Sequence, residues 1–238
     1  MNEFLLVGIV ILAFILITIL IRLLSGIVRT VVTVSFIAAV VVFGILLVND
    51  ISDVQKNLPT ADKVYVLEMQ NNVVAAFSVG KTGIPSITTD LASVQEMLDT
   101  KDYDALKGNA RWLLVYDWKA FDSVDAVTAG QFSLSHSQIE SMLTAPSATG
   151  WLAENYVPGV GSDIASSIIK QIFPTDEYAK GIAFVLSIQQ GGPKEFMESV
   201  SDGTLIVHPD SLTFKLIRIL PQSLLEKSLP MLEVEHSA

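Results

Sequence analysis

Apolar residues run from Phe4 to Val48 with little interruption; beyond Asn49 apolar and polar positions alternate at short periods. The two basic residues in the first stretch, Arg22 and Arg29, divide it into Phe4–Ile21 and Ile27–Val48. A helix needs ~20 apolar residues to cross a bilayer core, and both pieces satisfy that. One continuous bent span would hold both arginines in lipid, at ~2.5 kcal/mol or more each. At a turn built on Ser25 and Gly26 their guanidinium groups reach the interface instead. The first piece lacks the basic start and the A-x-A-like site of a cleaved signal peptide. The pattern therefore predicts a transmembrane two-helix hairpin over residues 1–49, with spans at about 4–21 and 27–48. Neither span carries Asp, Glu, Lys or His at depth, which favours an anchor over an ion path.

The remaining pattern predicts a polar connector over 50–62, a soluble α+β domain over 63–230 and a flexible tail over 231–238. Lys63–Val79 reads as a β-hairpin turning at Asn71-Asn72, since Asn tolerates the positive φ of tight turns. Leu91, Val94, Met97 and Leu98 fall at helical spacing within Thr88–Leu106, one helix or two short ones. Arg111–Phe121 reads as a strand with Trp112, Leu114, Tyr116 and Trp118 on one face, and Gln131–Leu134 as a short strand. Ser135 and Gln138 have capping-box spacing and open a helix to Leu143. Pro146, Gly150, Pro158, Gly159 and Gly161 mark 144–163 as loop. Ser162 starts a helix to Phe173, Thr175 one to Gln190, and Pro193 a short one to Val200. Thr204–His208 and Leu212–Leu220 read as a closing hairpin, and 221–229 as a last helix. Helices laid on one face of a mostly antiparallel sheet are expected.

Charge changes the picture of partners. Residues 49–238 carry 13 basic against 24 acidic residues, a net charge of −11. That balance opposes nucleic acid, whose phosphates are bound chiefly by Lys and Arg. No cysteine is present, so disulfides, thiolate metal sites and Cys nucleophiles are excluded. The lysine and arginine bias places Arg22 and Arg29 in the cytoplasm and the large domain outside the cytoplasmic membrane.

Candidate chemistry is sparse. A Ser/His/Asp hydrolase would draw on His136 or His208, on Asp210 or another aspartate, and on Ser135, Ser162 or Ser211; no G-x-S-x-G elbow supports it. His208-Pro209-Asp210 matches the tripeptide of J-domain co-chaperones, but there it joins two helices and follows a basic one. Here two β-prone runs flank it in an acidic domain, and turn chemistry accounts for it. Gly80-Lys81-Thr82 has the end of a phosphate loop but Ala75 stands where the first glycine belongs, so it reads as a turn. No histidine or carboxylate spacing fits a metal motif, and no cofactor is implied. Trp112, Tyr116 and Trp118 form a core face, or a partner surface if exposed. The sequence thus predicts a membrane-anchored extracytoplasmic interaction or assembly protein. Its partners are the bilayer and other membrane or envelope proteins, a second copy of this chain among them. A membrane-tethered hydrolase is the alternative.

Overall fold

A computed structural model describes residues 26–129, 132–157 and 161–220. The first predicted span, Arg22, Gln131, the 221–229 helix and the tail lie outside the described residues.

The chain divides into two units, one ending at Lys56 and one starting at Asn57. The described part of the first unit is helix α1 (Gly26–Asn57), whose last residue opens the second unit. Within α1 Val32–Val54 is long and apolar enough to cross a membrane. Most of its apolar side chains between Val34 and Val48 are exposed, Val34, Ile37, Val41 and Phe43 among them, whereas Val54 is buried. The helix does not stop at Val48 as the hydrophobic pattern predicts. It continues through Asp50, Asp53 and Lys56 into the expected connector, because Val48–Asn57 contains no Pro or Gly to break it.

The second unit is an α+β domain around a mixed, mostly antiparallel sheet in the order β3-β2-β1-β4-β7. Strands β1 (Lys63–Met69) and β2 (Asn72–Val79) form the predicted hairpin. Its turn is Gln70-Asn71, one residue earlier than predicted, with φ of 53° and 64°. Two consecutive positive φ values give a turn whose twist matches the strands. Short β3 (Pro85–Ile87) edges the sheet beside β2. Helices α2 (Leu91–Asp99) and α3 (Tyr103–Lys107) are the predicted short pair. Asp90 and Asp102 cap them by accepting the Ser93 and Ala105 N–H groups at 3.1 Å.

Strand β4 (Trp112–Asp117) then inserts parallel to β1, and β7 (Leu205–His208) pairs antiparallel with β4. Burial on both faces explains why β4 is apolar from Trp112 to Tyr116. Trp118 is not on the strand. The Asp117 carboxylate accepts the Lys119 N–H at 3.0 Å and caps a 3-10 turn, Trp118–Phe121, that leads out of the sheet. Strands β5 (Ala126–Ala129) and β6 (Phe132–Ser135) make a separate two-stranded ribbon.

Helix α4 (His136–Thr144) has the complete predicted capping box, Ser135 with Gln138. The expected loop after it contains a helix, α5 (Ala148–Tyr156), capped by the Ser147 hydroxyl. Helix α6 (Ser162–Ile172) follows. Helix α7 (Asp176–Asp202), capped by Thr175, is interrupted at Gly192, whose φ of 67° suits glycine. That break falls where Gly191-Gly192-Pro193 predicts it. Leu212–Leu220 is not a returning strand: it forms α8 (Leu212–Ile217), burying Phe214 and Ile217 at helical spacing.

Helices cover both faces of the sheet, not one. On the first face Val66, Ala76, Leu113 and Val115 pack with Val94, Leu98 and Leu106 of α2 and α3. On the second lies α7, which packs against β2, β3 and β7. Phe184 of α7, fully buried, is the centre of this face. Phe77, Tyr116 and Phe121 meet it edge-on at 5.2, 5.8 and 6.0 Å, an arrangement aromatic quadrupoles favour.

Candidate functional site

The groups with chemical potential lie on the α2/α3 side of the sheet, past the cover those helices give. Sheet pairing places Ile206 and His208 of β7 beside Val115 and Leu113, on that same face. The two helices pack on β1, β2 and β4. A cleft of about 330 Å³ opens alongside β7, lined by Tyr103, Ile206, His208, Asp210 and Arg218 among others. Its size falls at the small end of ligand sites, ~300–1,000 Å³.

His208 ends β7, and its ring lies 5.6 Å from that of Tyr103. Its Nε2 is 3.0 Å from Asp104 Oδ1. This hydrogen bond, reinforced by the charge of the imidazole, holds the Asp104 carboxyl below the ordinary aspartate range. Asp210 accepts from Arg218 Nη1 at 3.0 Å. The cleft therefore presents an imidazole and a guanidinium, each paired with a carboxylate. Ser211 stands next in the chain, but its buried hydroxyl has no hydrogen-bond partner among the described residues. The sequence candidates His208 and Asp210 thus share one cleft, and Asp104, which no motif indicated, is the partner His208 takes.

His136 lies elsewhere. At the start of α4 its ring stacks on Trp118, centroids 4.8 Å apart, and Nε2 is 3.8 Å from Asp122 Oδ1. Ser135, the candidate serine beside it in sequence, is committed to the α4 capping box. Trp112, Tyr116 and Trp118 are 2%, 3% and 6% exposed. They are core rather than a partner surface. Arg29 lies in the first turn of α1, ahead of the candidate span. Among the described residues no group of three or more His, Asp or Glu is arranged to hold a metal ion.

The backbone of β7 adds a second feature. Asp117 N–H donates to the Thr204 carbonyl at 2.8 Å, which fixes the alternation of the ladder. Ile206 and His208 then turn their N–H and C=O groups toward β4, and Leu205 and Val207 turn theirs to the outer edge. No described strand pairs with that edge. The opposite edge, β3, is only three residues long and begins with Pro85, both of which discourage strand addition.

A second, wholly apolar cavity of about 70 Å³ lies among the β5–β6 ribbon, α5, α6 and α7, with Met142, Ile169 and Phe173 in its wall. An engineered cavity that takes benzene measures ~150 Å³, so this one is a packing gap.

No family model matches the chain, and comparison with curated proteins and with solved structures finds no match. The functional reading rests on the geometry above.

Proposed function

We propose that this protein is a membrane-anchored interaction or assembly module whose acidic α+β domain binds a partner at the β7 edge on the extracytoplasmic side. The observation that carries the reading is the apolar stretch Val32–Val54 standing directly before a folded domain. The anchor is the two-span hairpin, with residues 4–21 as the first span and Arg22 and Arg29 at its cytoplasmic turn. The partner, a membrane or envelope protein or a second copy, adds an extended segment to the outward groups of Leu205 and Val207. Half-exposed Ile206 forms the floor on which one of its side chains rests. Crosslinking in native membranes, read by mass spectrometry, tests it. A membrane-impermeant amine reagent should label exposed Lys101 and Lys170 in intact cells, and Ile206→Glu should abolish a specific crosslink while leaving the melting temperature unchanged. Labelling only after the cells are opened would reverse the orientation, and crosslinks unaffected by the charge would remove β7 as the contact.

The hydrolase reading keeps one favourable observation, the His208–Asp104 pair beside a cleft. A His–Asp pair activates a hydroxyl only when one lies within hydrogen-bond reach of the imidazole. Ester turnover by the purified full chain that is lost in His208→Gln would establish this reading. Turnover that is absent, or unchanged in the variant, would end it.

A further inference from the structure

Helix α6 has an apolar sector wider than the surface it buries. At about 100° per residue, Ile164, Ile168, Ile172, Ala165 and Ile169 occupy about 140° of its circumference. Only Ala165 and Ile169, at one side of that sector, are buried. Ile164, Ile168 and Ile172 are 59%, 40% and 47% exposed, in a row one turn apart. The opposite side carries Asp163, Ser166, Ser167 and Lys170. Singly exposed apolar residues are ordinary; three β-branched ones in a row along one helix form a patch.

What reaches that patch is set by the covalent chain. Residues 55–62, between the candidate span and β1, extend at most ~30 Å. A domain of this size has a diameter of ~40 Å. If α1 crosses a bilayer, the lipid surface is a permanent neighbour of the domain at high effective concentration. The alternative mode of lipid contact, basic side chains on anionic headgroups, does not suit a domain whose residues 57–238 carry a net charge of −10, and α6 itself balances one Asp against one Lys.

We propose that α6 docks on the bilayer, inserting the Ile164–Ile168–Ile172 row at the boundary between headgroups and acyl chains and leaving Ser167 and Lys170 in water. The proposal rests on the membrane-anchor reading of α1. It specifies an apolar contact with lipid that is independent of anionic headgroups.

The natural absence of cysteine permits a direct test. Full-length chains carrying Phe43→Cys, Ile164→Cys, Ile168→Cys or Ser167→Cys are labelled with an environment-sensitive fluorophore. They are reconstituted in phosphatidylcholine vesicles with lipids spin-labelled near the headgroup for positions 164, 167 and 168, and deeper in the chain for position 43. Expected is quenching at 164 and 168 about twofold or more above that at 167, unchanged by dilution of protein in lipid or by added anionic lipid. Quenching at 43 with none at 164 and 168 overturns the α6 proposal and leaves the anchor standing. A blue-shifted probe at 164 and 168 that lipid does not quench also overturns it, because another protein surface, such as a second copy, then covers the row. A probe at 43 that remains in water overturns the anchor and the proposal together. Two labelled positions on the exposed row guard against one variant that fails to fold.

Discussion

At the scale of single residues, the acidic groups beside the sheet are not equivalent. Glu68 at the end of β1 is raised above the ordinary glutamate range by partial burial and by the charges of Asp117 and Asp99. Asp117 is its parallel cross-strand neighbour. A carboxyl whose pKa is raised on folding binds its proton more tightly in the folded state. Its ionisation therefore works against the fold above the folded pKa, and the effect vanishes as pH falls toward the unfolded value. Glu68→Gln should raise the melting temperature at pH 7 and have no effect near pH 4; equal effects at both would assign the change to packing. Burial also pushes the Tyr65 phenol up to about 12 and Tyr116 higher still. These rings stay neutral when folded, so the stability they share is complete below ~10, the unfolded tyrosine value, and declines above it. In an ultraviolet titration both should ionise only as the domain unfolds, detected as a tyrosinate step coincident with loss of circular dichroism. Ionisation of all five tyrosines near pH 10 in the folded chain would contradict their burial.

At the scale of elements, helix termini organise the distal half of the domain. Asp176, in the first turn of α7, accepts from the Thr149 N–H at 2.8 Å, the Thr149 hydroxyl at 2.7 Å and the Ser147 hydroxyl at 3.2 Å. It thereby ties the start of α5 to the start of α7. Burial works to raise its pKa, but these bonds outweigh that and hold it below the ordinary aspartate range. Asp176→Ala should cost about 1–3 kcal/mol, since it leaves the Thr149 N–H and two hydroxyls without their charged acceptor. The cost should be full above about pH 4 and fade as pH falls through the depressed folded pKa, because a protonated Asp176 accepts these bonds less strongly. Urea unfolding of the detergent-solubilised chain at pH 7 and pH 3 measures both values. The element order also explains the cleft. Helices α2 and α3 are short, the sheet continues past them to β7, and the uncovered edge holds Ile206 and His208.

At the scale of the whole molecule, the division is between a helix long and apolar enough to cross a membrane and an α+β domain with its own core. Among the described residues most apolar side chains between Val34 and Val48 are exposed, and the proposed anchor would give them a bilayer as their surroundings. The full chain should resist alkaline carbonate extraction and enter solution only with detergent. Recovery in the aqueous fraction would refute the anchor. An arginine placed mid-span, Val42→Arg, opposes insertion of that helix by ~2.5–3.5 kcal/mol and should lower the membrane-retained share.

The sequence alone determined whatever short-range chemistry controls. Apolar run length marks the candidate span, the Ser135–Gln138 box and Thr175 mark helix starts, Gly192-Pro193 marks the break, and the β-prone run around Trp112 marks the central strand. Tertiary structure decided what depends on groups distant in the chain. Ser147, helped by Asp176 twenty-nine positions later, makes a helix where Pro146 and Gly150 read as loop. Burial of Phe214 and Ile217 turns Leu212–Ile217 into a helix although its alternation reads as strand. The pairing of His208 with Asp104, 104 residues apart, arises only because β7 docks on β4 beside the start of α3. Local hydrogen bonds and hydrophobic periods are written residue by residue, but strand register and helix docking minimise exposed apolar area over the whole fold, and no short stretch carries that sum.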